Sequence, residues 1–257
     1  MIPFNTITAW GVTHQWPSRE QIEQDLLLSK AIIEIYKNER LSNELIFRGG
    51  TALHKIILPF PSRYSEDLDF VRSTSGGIGD IMKELTELGK QTGFIVKTRL
   101  GQFPKVYWHA KAQTGRDLRI KIEINTFERS PALPLIKVEH TINTDWFADK
   151  AVVTMFQNEE TAATKLRALY QRSKGRDLFD LWLLTNVVNI DPVLTCQAFA
   201  TYRPIGYTSK KAIDNLEKKI HDKGFLTDIN NMVTIDLKGY SVNEAASQVV
   251  EKYLRNL

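Results

Sequence analysis

Phe47-Arg48-Gly49-Gly50-Thr51-Ala52-Leu53, followed by Arg63-Tyr64-Ser65-Glu66-Asp67-Leu68-Asp69-Phe70, decides how this chain is read. An apolar run leads into a glycine pair and then into helix-forming residues. Glycine has no Cβ, so backbone and ligand can approach closely. The free N–H groups of a helix N-terminus then bind phosphate, and Thr51 adds a hydroxyl. Asp67 and Asp69 stand two apart on a predicted strand, so they share one face, with Leu68 and Phe70 on the other. Two carboxylates on one face repel each other unless a cation lies between them. Magnesium takes oxygen ligands of that kind, a few carboxylates plus substrate phosphates.

Working outward, residues 44–48 read as a short strand, 51–58 as a helix stopped by Pro59 and Pro61, and 67–72 as the strand of the aspartates. Upstream, 18–38 reads as a helix with Ser18 and Gln21 as a capping box and Ile22, Leu26, Ile33 and Tyr36 at helical spacing. Downstream come a Gly/Ser-rich turn over 73–79 and a helix over 80–92 with Gly93 as its C-cap. Strands follow over 94–100, 105–113 and 117–127. In the last, Leu118, Ile120, Ile122 and Ile124 alternate with Arg119, Lys121, Glu123 and Asn125. Glu123 thus lies on a polar face whose reverse is apolar. It is the expected third carboxylate of a metal site formed with Asp67 and Asp69, a set able to hold two metals, one activating an attacking hydroxyl and one steadying a leaving phosphate.

From about residue 157 the pattern turns helical, over 159–173, 176–186, 192–202, 209–223 and 242–256. The expected architecture is α+β, a mixed sheet with flanking helices in residues 1–150 followed by a helical domain in 151–257. The boundary is placed within 143–159, where Thr141-Ile142-Asn143-Thr144-Asp145 reads as a loop. In the helical part, Lys165, Leu169 and Arg172 share one helix face, and Asp177 and Asp180 follow three apart. Lysine and arginine there suit a triphosphate or an RNA backbone. They equally suit a salt-bridge network between helices, with Arg176 pairing to Asp177 or Asp180.

The chain has 257 residues, 42% hydrophobic and 25% charged, with net charge +4. It contains no apolar run of membrane length, and its N-terminus lacks a signal-peptide pattern. A single cysteine, Cys196, fits a reducing compartment and is read as a small buried hydrophobe, so cytoplasm is the expected location. Positive charge concentrates over 97–121 and 161–176, clusters that can hold a polyanion or form two solvated faces. The five histidines lack metal-ligand spacing. The tryptophans read as packing residues, with Trp108, beside Tyr107 in the basic stretch, as the exception that suits base stacking.

Arg48-Gly49-Gly50-Thr51-Ala52-Leu53-x-Lys55, Arg63-x-Ser65-x-Asp67-x-Asp69-Phe70, Lys121-x-Glu123, and Lys165-Leu166-x-Ala168-Leu169-x-x-Arg172 with Arg176-Asp177-Leu178-Phe179-Asp180-Leu181 together resemble the AbiEii/AbiGii toxin family. The resemblance implies a polymerase-β-like nucleotidyltransferase core. It also implies a toxin of a toxin–antitoxin or abortive-infection system with a separate antitoxin, transferring a nucleotide from a nucleoside triphosphate to RNA. The tRNA 3′ end is the expected acceptor and inhibition of translation the outcome. It further implies that Gly49, Gly50 and Thr51 hold the triphosphate and that Asp67, Asp69 and Glu123 bind Mg2+. Lys165 and Asp180 (or Asp177) would contact nucleotide or acceptor and serve catalysis, with Ser65, Lys121 and Arg176 among the nucleotide-binding residues. Asp67 lies seventeen positions after Gly50, a longer connection than the family pattern, which leaves the place of the Asp-x-Asp strand open. Other readings keep a small molecule or a protein hydroxyl as the acceptor, or make the chain a non-catalytic nucleotide-binding module. The presence of all three carboxylates argues against the last.

Overall fold

The two quoted motifs fold into adjacent strands. In the computed structural model, which describes residues 1–233 and 239–257, β1 (Leu45–Arg48) pairs antiparallel with β2 (Asp67–Arg72). The remaining strands are β3 (Ile95–Arg99), β4 (Lys105–Lys111), β5 (Asp117–Asn125), β6 (Ile136–Asn143) and β7 (Ala148–Met155). They form one mixed seven-stranded sheet of order β3-β4-β5-β2-β1-β7-β6. β2 runs parallel to β5 and β1 parallel to β7, while the other pairings are antiparallel.

The chain divides into two compact units, one of Met1–Ser130 and Leu135–Met155, the other of Pro131–Pro134 and Phe156–Leu257. In the first, α2 (Arg19–Lys37) starts at the expected Ser18/Gln21 capping box. With α5 (Gly79–Gln91) it packs on the apolar side of the sheet, where Ile120, Ile122, Ile124, Leu68 and Phe70 are buried. Helices α1 (Phe4–Thr13), α3 (Glu39–Glu44) and α4 (Gly49–Ala52) complete this unit. Helix α4 continues as a wide turn, Leu53–Ile57, in which Leu58 N–H reaches back to the Leu53 carbonyl at 3.0 Å.

The second unit holds α6 (Asn158–Gln171), α7 (Gly175–Leu183), α8 (Pro192–Tyr202), α9 (Ser209–Lys219), α10 (Lys223–Thr227) and α11 (Val242–Lys252). The buried Glu160 ties Pro131–Pro134 to α6, accepting from Ala132 N–H at 2.7 Å and Leu133 N–H at 3.1 Å, and from the Tyr202 hydroxyl.

Three readings from the sequence change. Thr141, Ile142 and Asn143 end strand β6 instead of forming a loop, paired with Lys150, Asp149 and Ala148, and the turn itself is Thr144 to Phe147, closed by Thr144 N–H on the Phe147 carbonyl at 3.0 Å. The strand signal is present, since Ile136, Val138, His140 and Ile142 alternate with more exposed Lys137, Glu139, Thr141 and Asn143, and Pro131 and Pro134 just before it draw the reading to a loop. Trp108 is no stacking platform for a base: it is fully buried, stacked on Phe94 at 5.1 Å, its Nε1 donating to the Leu85 carbonyl at 3.1 Å. Cys196 is half-buried, not fully enclosed.

Candidate active site

The site grows from the β1–α4 turn. Gly49 has φ +86°, and a Cβ placed there would lie 2.6 Å from Asp69 Oδ2. A Cβ on Gly50 would lie 2.7 Å from Arg63 Nη2 and 3.0 Å from Ser65 Oγ. The glycines are therefore demanded by the protein's own close approach: the long connection returns Arg63 and Ser65 over Gly50 and brings Asp69 over Gly49. Thr51, buried at 1% exposure, fastens this arrangement. Its hydroxyl donates to the Asp67 carbonyl and stands 3.0 Å from Ser65 Oγ. The question left by the seventeen-position spacing is thus answered by an antiparallel neighbour, with Arg48 opposite Asp69.

Sheet register assembles the charged groups. Asp67 stands beside Lys121 and Asp69 beside Glu123, and directly paired residues point to the same face. Lys121 Nζ is 2.8 Å from Asp67 Oδ2 and 3.5 Å from Glu123 Oε2, while Lys105 Nζ is 3.0 Å from the same Glu123 oxygen. Burial and the neighbouring Asp67 charge push the Asp69 carboxyl above the usual range, against the pull of Arg48 and Lys121. Burial works to lower Lys121, but the Asp67 hydrogen bond and the surrounding carboxylates outweigh it and raise its pKa. Arg48 is held in turn by Glu128 at 2.9 Å. Glu128 is placed by a turn in which Asn125 Oδ1 accepts from Phe127 and Glu128 N–H at 2.8 and 3.0 Å.

Asp67 and Asp69 have the donor chemistry for a hard divalent cation, and a repelling, partly buried carboxylate pair is what such a cation relieves. Glu123 faces the same side, yet among the described residues no three His, Cys, Asp or Glu side chains are grouped closely enough to hold a metal ion. The physical reason is that Lys105 and Lys121 both engage Glu123.

In the second unit, Lys165 Nζ lies 2.6 Å from Asp180 Oδ2 and 3.2 Å from Asp177 Oδ1. Arg172 grips Asp177 through Nε at 2.7 Å and Nη2 at 2.8 Å. Both aspartates are fully buried. Burial pushes Asp177 up, but the Lys165 charge and the Arg172 hydrogen bonds win and hold it below the usual range. The salt-bridge arrangement is therefore present, with one difference: Arg176 turns to Asp228, its N–H 3.2 Å and its Nε 3.9 Å from Asp228 Oδ2. The approach is set by Gly175, where a Cβ would meet the Phe225 carbonyl at 2.2 Å.

Arg48, Arg63, Lys105 and Glu128 join the site through contacts that residue type and spacing do not announce. Two of them, Arg48 and Arg63, lay inside the quoted motifs, which was a signal. Lys105 and Glu128 become visible only through register and the Asn125 turn.

A central mixed sheet carrying an Asp-x-Asp strand beside a Gly-Gly turn defines a nucleotidyltransferase fold. MenT4, a nucleotidyltransferase toxin from Mycobacterium tuberculosis H37Rv, superposes with a TM-score of 0.67 at 15% identity, covering 100% of this chain and 91% of that one. A nucleotidyltransferase-like protein from Paracoccidioides brasiliensis covers 64% of this chain and 76% of its own at 18% identity, with a TM-score of 0.44. No curated protein sequence matches the chain significantly. The family described as "Nucleotidyl transferase AbiEii toxin, Type IV TA system" matches residues 34–241, and the chain belongs to it. It is a nucleotidyltransferase toxin of a type IV toxin–antitoxin system, which implies a nucleoside triphosphate substrate and an antitoxin partner. Among the described residues no helix is long and apolar enough to cross a membrane.

Proposed function

We propose that this toxin moves a nucleotidyl group from a nucleoside triphosphate to an RNA acceptor, the tRNA 3′ end first among them, and so inhibits translation in the cytoplasm. The observation that carries the reading is the packing of Asp69 on Gly49, between Arg48 and Glu123. It sets one carboxylate of the Asp-x-Asp pair directly over the start of a helix, where phosphate binds. Nucleotidyl transfer is dominated by positioning and electrostatic stabilisation, and these residues supply both.

In this reading Asp67 and Asp69 hold Mg2+, with Glu123 joining once Lys105 and Lys121 turn to the triphosphate. The metal, when bound, neutralises charge developing on the phosphates. Gly49 and Gly50 let Asp69, Arg63 and Ser65 close around the α4 N-terminus, whose backbone N–H groups hold the triphosphate in this reading, with the Ser65 hydroxyl beside it and Thr51 keeping the turn in shape. The Arg48 charge, on the strand beside it, favours the ionised form of Asp69 against the burial and the Asp67 charge that oppose it. Lys165 and Asp180 act as a positioning pair within their own unit, and Arg176 remains a nucleotide contact in the proposal. The test is incubation of purified protein with Mg2+, total tRNA and each α-labelled nucleoside triphosphate in turn. Label entering RNA with one nucleotide, and lost in Asp69→Ala, is expected. Label in protein or in a small molecule, or toxicity that survives Asp69→Ala, would overturn the reading.

A further inference from the structure

Beside the carboxylates, the same face of the sheet continues across three more strands. Lys97, Tyr107, Lys121 and Asp67 stand side by side in register on β3, β4, β5 and β2. The row spans three interstrand steps, about 14 Å. Tyr107 is half-buried, with the exposed Arg119 guanidinium 5.5 Å from its ring centre and the His109 ring 6.4 Å away. Lys97, Arg99 and Arg119 are exposed and, among the described residues, form no ion pair within 4 Å, the Lys97 charge only helping Lys111 hold Asp117 low, whereas Lys105, Lys111 and Lys121 each pair directly.

Two physical requirements of one ligand meet on this face. Unpaired cations attract a phosphate backbone. An aromatic ring and the guanidinium that lies over it on the sheet face offer stacking surface to bases that are free to splay out, which those of a duplex are not. The row also ends at Asp67, so a strand lying along it delivers its terminus to the carboxylates.

Building on the RNA-acceptor reading above, we propose that the β3-β4-β5 face is the seat of the acceptor's single-stranded RNA end, with Tyr107 as the stacking residue and Lys97 and Arg119 as backbone contacts. The test measures binding of a short fluorescent single-stranded RNA by anisotropy across a KCl series, with no nucleotide present. It compares wild type, Lys97→Glu/Arg119→Glu, Tyr107→Leu and a charge-matched control, Lys210→Glu/Lys218→Glu, all checked for wild-type melting. The double reversal is expected to weaken binding at least about 10-fold and to lower the slope of log affinity against log salt by about 1.4, at about 0.7 per lost phosphate contact. Tyr107→Leu is expected to weaken binding about 5- to 100-fold with the slope unchanged, as loss of one stacked base does. The control binds as wild type. Face variants that fold and bind RNA like wild type overturn this proposal alone, provided RNA is still labelled in the transfer assay. Wild-type protein that neither binds the single strand nor labels RNA overturns both.

Discussion

Gly49→Ala is the sharpest perturbation of the site, because it replaces one hydrogen with a methyl group at its centre. The new Cβ would stand 2.6 Å from Asp69 Oδ2, where ordinary contact begins at 3.4 Å, so the carboxylate must retreat by 0.8 Å (3.4 − 2.6). A misplacement of about 1 Å in a reacting constellation costs on the order of 100-fold in rate. The residue also sits at φ +86°, where a side chain costs about 1–2 kcal/mol. Gly93→Ala separates the two effects: its φ is +91°, and nothing lies within 4 Å of the added Cβ. Both variants should therefore lose about 1–2 kcal/mol to backbone strain in urea unfolding, Gly49→Ala more through the clash with Asp69, and only Gly49→Ala should lose about 100-fold in kcat for nucleotide transfer. A folded Gly49→Ala enzyme with wild-type kcat would refute the placement of Asp69 at the reaction centre. Equal activity losses in both variants would trace the effect to backbone strain instead.

Acid should weaken the first unit through two histidines. His14 and His140 are both lowered to about 4, first by burial and then by the Lys55 charge. Lys55 itself is buried against Asp25, which also accepts from Trp10 Nε1 at 2.8 Å. The unfolded chain takes up these protons below about pH 6.5 and the folded chain only near pH 4, so stability falls as pH drops through that window. The loss is about 2 kcal/mol per histidine between pH 7 and pH 5; His14→Gln should flatten the pH dependence of the unfolding free energy by about that amount, and an unchanged dependence would contradict it. Lys165→Met removes the cation from two fully buried aspartates and should destabilise by about 3–5 kcal/mol, measured by calorimetry; a loss below about 1 kcal/mol would mean the pair is hydrated. Gly89→Ala would set a Cβ 2.5 Å from Trp108 Nε1 and 2.7 Å from Val96 Cγ2, and should cost about 1–3 kcal/mol as overpacking with a change in Trp108 fluorescence.

How much of this was legible in the sequence depended on whether the signal was local. The helix at Ser18 declared itself through a cap and a periodic face, and strand β2 had its bounds fixed by alternation. Leu118 to Ile124 announced their apolar face, and Glu123 its place opposite it. The β6–β7 hairpin carried the same period of two in Ile136, Val138, His140 and Ile142, but it follows Pro131 and Pro134 and ends in a polar Thr-Ile-Asn-Thr-Asp stretch that reads locally as a loop. The site was legible as residue types, not as partners. Nothing in the spacing says that Lys105 and Lys121 share Glu123, or that Arg176 prefers Asp228, 52 positions on (228 − 176), to its neighbour Asp177. Those pairings come from strand order and helix packing, which join residues distant along the chain.

The pairing of β2 with β5 has a consequence in time. Asp69 meets Glu123 only through a parallel ladder between strands 54 positions apart (123 − 69), and Phe47 meets Met155 across 108 (155 − 47). Parallel pairing over such separations is slow to nucleate, since loop closure precedes any gain from contact. A growing chain that has released both glycine and aspartate motifs from the ribosome therefore still lacks its site. The site is thus complete only once strands β5 and β7, far along the chain from the motifs themselves, have joined the sheet.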